Sequence, residues 1–265
     1  MRGRTVKAVR EHGIGDGFAH EMVLRHELQH TETMLQTMAL ADLLPPRSVI
    51  DPAAPAAASG EPRWIELDGG DCEIGADPEG FSYDNERRRH KVSLRPYAIA
   101  SAPVSNREWR RFCQEGGYER REHWSEAGWA WRERAEPLLD PSAGAGADSD
   151  PICHLCFHEA EALAHSLRAR LPSEREWEHA AVSAGEQMTQ RRCVWEWTSS
   201  EFAAYPGFRA HPYREYSEVF FEQGHRVLRG GSWATSERIA TDTFRNWDLP
   251  IRRQIFAGVR LARDA

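Results

Sequence analysis

The chain has 265 residues, of which 40% are hydrophobic and 28% are charged, and this balance excludes a disordered, collagen-like or coiled-coil protein. Its 34 lysines and arginines are outnumbered by 41 aspartates and glutamates, so the formal charge of -7 argues against a nucleic-acid-binding protein. No apolar run approaches the roughly 20 residues that span a membrane, and the basic first residues lead into no apolar signal segment. We therefore expect a cytoplasmic protein without a membrane partner.

The first predicted element is a long helix over residues 16–44, which Asp16 can cap at its start and which Pro45 ends. At 100° per residue, one side of this helix is an apolar stripe that we expect to pack against other helices, formed by Leu24, Leu28 and Leu35. The opposite side carries Met22, His26, Gln29, His30, Thr33 and Thr37. One side is thus expected to pack and the other to carry the chemistry.

The clearest functional signal on this helix is a pair of histidines. His26 and His30 are four residues apart, so they lie about 40° apart on one face and can share one metal ion. Glu32 lies about 240° round from His26, and we expect its carboxylate to point away from such a metal. A single pair with this spacing is more often structural than metal-binding, so support must come from the rest of the chain.

After the helix the composition changes. Residues 45–62 contain five prolines and five alanines, which predicts a linker between a helical segment at 1–44 and a domain at 63–265. In that domain, short strands and turns alternate with two short helices, each opened by a capping box, at 105–108 and at 173–176. Residues 140–151 predict a surface loop. The pattern predicts an α+β fold.

Two further motifs allow a functional or a structural interpretation. Residues 153–158 resemble half of a zinc site, but no second ligand pair follows and we favour a structural role. The C-terminal 70 residues are rich in aromatic rings, which could form a cage for a quaternary ammonium group. For Trp195, Trp197 and Trp233 we favour a role as core anchors. The cysteine count of five is odd, and we expect reduced thiols.

Several strings together resemble the sulfoxide synthases of ergothioneine biosynthesis, the hercynine oxygenases, whose C-terminal domain is shared with formylglycine-generating enzymes. Some strings are only domain signatures, but together with the histidine helix they are specific. The strings that carry the resemblance are 26–32 (HELQHTE), 83–86 (YDNE), 170–178 (RLPSEREWE), 194–198 (VWEWT), 211–216 (HPYREY), 229–233 (RGGSW) and 256–260 (FAGVR).

The resemblance implies an architecture and a set of site residues. It implies part of a DinB-like helical bundle, which binds iron(II) through three histidines, followed by a C-type-lectin-like domain with little regular secondary structure. His26 and His30 would be two of the three iron ligands, Gln29 would touch the substrate imidazole, and Tyr213 would be a proton or hydrogen donor. The remaining site residues that the resemblance implies are Tyr216, Asn246 and Trp247 for the carboxylate and trimethylammonium of a betaine, and Asp248 for a thiol substrate.

The resemblance also implies a reaction. Iron(II) and O2 would join the sulfur of γ-glutamylcysteine, or of cysteine, to the imidazole Cε of hercynine and oxidise that sulfur. Three neutral imidazoles would leave open iron positions for these molecules. A trimethylammonium against Trp247 would gain about 2 kcal/mol where water is excluded, which is roughly a factor of 30 in affinity.

The chain departs from the family pattern at one place. The family's first histidine and two thiol-binding arginines lie upstream of the histidine helix, and no counterpart is found before His26. His20 is about 120° and roughly 9 Å away from His26, and His12 precedes a glycine-rich turn, so both are poor third ligands. We expect the missing bundle helices to come from upstream sequence or from another polypeptide; a degenerate protein is the other alternative.

Two rival functions are left open. A formylglycine-generating oxidase binds copper through a cysteine pair near its C-terminus, but this chain has no cysteine after Cys193. A non-catalytic, lectin-like binding module would need neither His26 nor His30. Mutation of both histidines therefore separates the binding module from the oxygenase.

Overall fold

The computed structural model describes residues 2–44, 63–77, 79–135 and 147–265. The predicted linker at 45–62 and most of the predicted loop at 140–151 lie outside these residues. Two helices precede the linker, α1 (Arg2–His12) and α2 (Phe18–Leu40). α2 falls within the predicted helix, whereas α1 was not predicted. None of the helices in the described ranges combines the length and apolarity needed to cross a membrane.

Among the described residues after the linker, nine short strands form three small sheets. One sheet has the order β1-β4-β9, the second pairs β2 with β3, and the third has the order β7-β6-β5-β8. All pairs are antiparallel except β5 with β8. The strands are β1 (Trp64–Leu67), β2 (Gly70–Ile74), β3 (His90–Leu94), β4 (Tyr97–Ala100), β5 (Trp195–Glu201), β6 (Arg226–Arg229), β7 (Asn246–Asp248), β8 (Ala257–Gly258) and β9 (Ala262–Asp264).

Four α-helices in the described part of this region begin next to a capping side chain. Both predicted capping boxes are confirmed, because the hydroxyls of Ser105 and Ser173 accept from the backbone N–H three residues on. A third box, with Cys156 at the N-cap, was missed because cysteine is not a usual cap. The helices are α3 (Asn106–Gln114), α4 (Glu126–Arg134), α5 (Phe157–Ser166) and α6 (Glu174–Ser183).

The core holds large rings together with buried charges. Trp195 and Trp197 are buried, as predicted, while Trp233 is half-buried with its ring 4.8 Å from that of Phe256. Three arginines are fully buried, and each forms an ion pair with a buried glutamate. The pairs are Arg229 with Glu178, Arg245 with Glu174, and Arg260 with Glu196. These pairs fix the strands and loops around which the candidate site is built.

Candidate functional site

Helix α2 begins at a turn that the sequence specifies locally. Gly17, at φ 77°, precedes the first helical residue, and this left-handed conformation favours glycine. Asp16 accepts a hydrogen bond from the backbone N–H of Phe18 at 3.0 Å. The helix therefore starts two residues later than predicted. Asp16 still accepts from one of the backbone N–H groups that have no partner within the first turn of the helix.

α2 lies against the C-terminal domain through a stripe of polar side chains. Glu21 forms an ion pair with Arg238 at 2.7 Å, and Gln29 and Glu32 continue the stripe two and three turns further along the helix. Met22 and Leu28 pack beside this stripe against the core of the domain. We call Glu21, Gln29 and Glu32 the docking stripe.

This arrangement corrects the predicted orientation of the helix. Leu24 is 43% exposed, and Leu28 packs on the C-terminal domain rather than on another helix. The side that carries Met22 and Gln29, predicted to be free for chemistry, is partly the docked side. The reason is that the domain presents hydrogen-bond donors and acceptors that match the polar side chains of α2. The positions of apolar residues along the helix do not reveal such polar partners.

Glu32 is the most buried member of the docking stripe, with 6% of its surface exposed. Its carboxylate accepts hydrogen bonds from Trp195 Nε1 at 2.8 Å, Ser232 Oγ at 2.7 Å and Thr235 Oγ1 at 2.7 Å. Burial raises the pKa of Glu32, and these hydrogen bonds oppose the shift. The prediction that this carboxylate points away from the histidines is confirmed, and the structure adds that it anchors α2 to the domain.

His26 and His30 lie at the edge of the docked side. Their ring centroids are 4.5 Å apart. His26 is half-buried and His30 is exposed. Burial lowers the pKa of His26, and the neighbouring His30 adds to that effect. The direction of this pKa shift favours the neutral form of the His26 imidazole, which is the form that binds a metal.

An aromatic wall from the C-terminal domain faces this pair. The ring of Tyr213 lies 5.8 Å and that of Tyr216 lies 6.3 Å from the ring of His26. Trp247, on β7, meets Tyr216 edge to face at 5.5 Å and is stacked on Phe202 at 4.1 Å. The structure thus brings the predicted residues of α2 together with three of those predicted some 190 to 220 positions further along the chain.

Gln29 connects α2 to the aromatic wall. Its Nε2 donates to the hydroxyl of Tyr216 at 2.8 Å and to the hydroxyl of Tyr83 at 3.1 Å. The two tyrosine rings are stacked, with centroids 4.1 Å apart. Sequence reasoning quoted Tyr83 only as part of a motif and missed its place in the site. The 83–86 string was the available signal, but it does not say which helix the tyrosine contacts.

Two predicted residues have contacts elsewhere. Asn246 Oδ1 accepts from the N–H of Trp247 at 3.0 Å, and Asp248 Oδ1 accepts from the N–H of Leu249 at 2.7 Å. Asp248 also lies 3.7 Å from Arg252, and burial raises its pKa. Within the described part of the chain, no hydrogen bond, ion pair or ring contact joins either residue to the histidines. In a strand, these two side chains project to the face opposite Trp247.

The donor set limits what metal the site can hold. Among residues 2–44, 63–77, 79–135 and 147–265, no group of three or more His, Cys, Asp or Glu side chains is arranged to bind a metal ion. His26 and His30 therefore supply two donors, and further donors have to come from substrates, water or residues outside this set. Two neutral imidazoles fit two adjacent positions of a first-row transition metal.

Comparisons with known proteins first define the class. Residues 51–191 and 193–265 match the family model described as "Sulfatase-modifying factor enzyme 1-like domain". The solved structure of Treponema denticola variable protein 1 has the same fold, with a TM-score of 0.50, 17% identity, and coverage of 80% of this chain and 98% of that one. The chain thus contains a sulfatase-modifying-factor-like domain joined to the helix that carries the histidines.

Similar sequences then identify the family within this class of proteins. "Hercynine oxygenase" from Mycolicibacterium thermoresistibile is 38% identical over 314 aligned residues, which cover 94% of this chain and 69% of the relative. "Hercynine oxygenase" from Mycobacterium tuberculosis is 37% identical over 308 residues, with coverage of 94% and 72%. The chain belongs to the hercynine oxygenase family of sulfatase-modifying-factor-like proteins.

Proposed function

We propose that this protein is an iron(II)- and O2-dependent sulfoxide synthase of ergothioneine biosynthesis. Its substrates would be hercynine, which is histidine trimethylbetaine, and a cysteine-type thiol, for which γ-glutamylcysteine is preferred over cysteine. The observation that carries the proposal is that His26, which lies beside His30, also lies beside Tyr213 and Tyr216, in a chain whose relatives are hercynine oxygenases.

The proposed reaction is a four-electron oxidation. The thiol loses its S–H hydrogen, the imidazole loses its Cε–H hydrogen, and a carbon–sulfur bond forms. One atom of O2 becomes the sulfoxide oxygen, and the other leaves as water with the two hydrogens. The thiol and the imidazole are oxidised and O2 is reduced, so no other reductant is required.

His26 and His30 would hold the iron. Iron in such a site supplies the one-electron chemistry that lets O2 react with organic substrates. The two residues are separated by one helical turn, so their relative position is set by α2 itself. Further donors would come from outside the described residues.

The aromatic wall would bind the betaine. The rings of Trp247 and Tyr216 are perpendicular, with centroids 5.5 Å apart. A trimethylammonium group can lie against the face of such a ring. The stack of Trp247 on Phe202 holds the indole in place. Asn246 and Asp248 project to the other face of β7, so their roles with the betaine carboxylate and the thiol substrate stay predictions of the family resemblance and are not part of this wall.

Tyr213 would donate a hydrogen near the reacting atoms. It is 40% exposed and precedes a short 3₁₀ turn, Arg214–Tyr216, which places its ring beside His26. The hydroxyl would move one proton towards the oxygen that is reduced, and Gln29 would orient the substrate imidazole from the side of α2.

The test is a double substitution, His26→Ala with His30→Ala, assayed for bound iron and for the sulfoxide product by mass spectrometry. We expect iron and product to be lost together, because no other described histidine can replace the pair. His20→Ala is the matched control, an exposed histidine of the same helix, and should change neither. Iron binding that survives in the double variant would contradict the proposal, and betaine binding without any turnover in the unchanged protein would favour the non-catalytic module.

A further inference from the structure

A cavity of about 450 Å³ lies between two segments of the C-terminal domain, 188–192 and 237–242. Its volume falls within the range of small-molecule sites. The described residues that line it include neither the histidine pair nor any ring of the aromatic wall. Four charged side chains line it, two of each sign, and they are Arg191, Arg192, Glu237 and Asp242. The cavity is therefore separate from the histidine site, and its lining is charged but balanced.

The two arginines belong to a turn that residues other than glycine rarely form. Gln190 and Arg192, on either side of Arg191, have φ of 55° and 67°. Such left-handed residues are unfavourable unless contacts hold them, and they are found preferentially at ligand-binding sites. Here Arg191 donates to Asp242 at 2.8 Å, and Arg192 donates to the carbonyl oxygen of Ala240 at 3.1 Å. The turn thus places both guanidinium groups at the wall of the cavity.

Both guanidinium groups have unused hydrogen-bond donors. Each has five N–H donors. With partners among the described residues, Arg191 uses one of them on Asp242, and Arg192 uses two, on Ala240 and on Glu237 at 3.4 Å. The Oδ2 atom of Asp242 accepts from no described donor. The pair of Arg192 with Glu237 is exposed, with 92% of the Glu237 side chain accessible, so it contributes little and is easily opened. A ligand can therefore reach several donors and an acceptor without breaking a buried contact.

The balance of charges determines which class of ligand fits. A simple anion would be attracted by the two guanidinium groups and repelled by the two carboxylates, and a simple cation would meet the reverse. A ligand with one charge of each sign can replace both partners of an exposed ion pair. Its carboxylate can accept two parallel hydrogen bonds from a guanidinium group, while its ammonium donates to a carboxylate. A compact zwitterion is thus the ligand that this lining favours.

We propose that this cavity is a binding site for a free α-amino acid. Arg191 and Arg192 hold the carboxylate of the ligand, Asp242 accepts from its ammonium group, and Glu237 lies at the entrance. The site is independent of the proposed function, because it uses neither the histidine pair nor the aromatic wall.

The experiment titrates the ¹⁵N-labelled full chain with three matched probes and follows the backbone amides by NMR. L-Alanine carries both charges, propionate lacks the ammonium group and ethylamine lacks the carboxylate. We expect L-alanine to shift the amides of 190–193 and 237–242 saturably and to bind about tenfold more tightly than either other probe. Absence of saturable shifts in these segments would overturn the proposal, and so would propionate or ethylamine binding as tightly as L-alanine.

Removal of one guanidinium group tests the carboxylate end of the site. Arg192→Gln should lower the affinity for L-alanine by about tenfold, because hydrogen bonds to a charged group are lost. Arg263→Gln is the matched control, since Arg263 also forms an exposed ion pair, with Glu66 on another part of the surface. The control should leave the affinity unchanged. An Arg192→Gln variant that binds L-alanine as tightly as the control would contradict the assignment.

The ammonium end is tested by a ratio of affinities, which a general disturbance of the turn would not change. Asp242→Asn keeps the shape of the side chain and should remove most of the advantage of L-alanine over propionate. Glu237→Gln alters a side chain that is almost fully exposed, so packing is not affected, and it should lower the same ratio by about threefold. A ratio that stays unchanged in both variants would overturn the site for an amino acid.

The double variant His26→Ala with His30→Ala separates this site from the histidine pair. It should bind L-alanine as the unchanged protein does, whether or not iron and turnover are lost. Loss of the L-alanine shifts in that variant would assign the probe to the histidine pair and overturn the cavity site, whereas an inactive protein that still binds L-alanine would overturn only the proposed function.

Discussion

The protein buries carboxylates in two different ways, in the interior of the domain and at the junction with α2. In the interior, Glu174 and Glu196 are each paired with a fully buried arginine. At the junction, Glu32 is buried with no guanidinium partner among the described residues, and it accepts from an indole, two hydroxyls and the Gln36 amide. The interior thus relies on full charges, whereas the buried end of the junction at Glu32 relies on neutral donors, and the ion pair of the junction, Glu21 with Arg238, lies at its more exposed end.

The type of partner determines how much each buried carboxylate contributes to the free energy of unfolding. Removal of one partner from a buried ion pair leaves an uncompensated charge and typically costs about 3–5 kcal/mol. A neutral hydrogen bond contributes about 1 kcal/mol net. The interior should therefore be the stable frame, and the junction should be the part whose position is more easily changed.

The largest effect is expected from Arg245→Met. Arg245 pairs with Glu174 and also donates to the carbonyl oxygens of Asn85 and Ala203. Its removal should lower the free energy of unfolding by about 3–5 kcal/mol, measured by urea denaturation. Arg263→Met is the control, since that ion pair with Glu66 is exposed. A loss no larger than in the control would mean that the interior does not depend on charge pairing.

A smaller effect is expected at the junction. Glu32→Ala leaves Trp195 Nε1 buried without its acceptor and should cost about 2–3 kcal/mol; under the proposed function, it should also lower iron binding at His26 and His30. Glu32→Gln should cost less than about 1 kcal/mol, because its oxygen can accept from Trp195 and Ser232 while its nitrogen donates to Thr235. Equal losses in the two variants would contradict the view that neutral donors suffice here.

The smallest effect is expected from Glu21→Gln, at the other end of the docking stripe. Hydrogen bonds from Arg238 and then Arg25 lower the pKa of Glu21 to about 2, from an ordinary value of 4.5. Because the folded-state pKa is the lower one, the carboxylate stabilises the fold above pH 4.5, and this contribution is lost as the pH falls towards 2. The urea midpoints of the unchanged protein and the variant should therefore differ slightly at neutral pH and converge in acid. Glu27→Gln, on the exposed side of α2, should show no such convergence.

Local features of the structure could be predicted from the sequence. The presence of α2 within residues 16–44, the capping boxes at Ser105 and Ser173 and the direction of Glu32 follow from spacing and residue type within a few turns of chain, although α2 itself is shorter, Phe18–Leu40. The docking of α2 could not be predicted in this way. Glu32 and Ser232 are 200 residues apart, and no local pattern says that one accepts from the other.

The family motifs pointed to some site residues that local sequence patterns do not reveal, but they did not reveal the contacts of those residues. The 229–233 string, quoted only as a family motif, contains a turn in which Gly230 and Gly231 have φ of 94° and 85°. A Cβ on Gly231 would lie 2.9 Å from that of Ala240, so glycine is required there. The string does not reveal that this turn presents Ser232 to α2. In the same way, the resemblance named Tyr216 but not the contact of Tyr83 with Gln29.

One consequence follows from α2 carrying both imidazoles and Gln29. The spacing among these three groups is fixed by the helix, and the spacing among Tyr213, Tyr216 and Trp247 is fixed by the domain. The docking stripe and the apolar contacts of Met22 and Leu28 beside it set the gap between the two groups. Substitutions at Glu21 or Glu32 can therefore widen or narrow the space between them for a larger or smaller substrate, while the groups that line it stay the same.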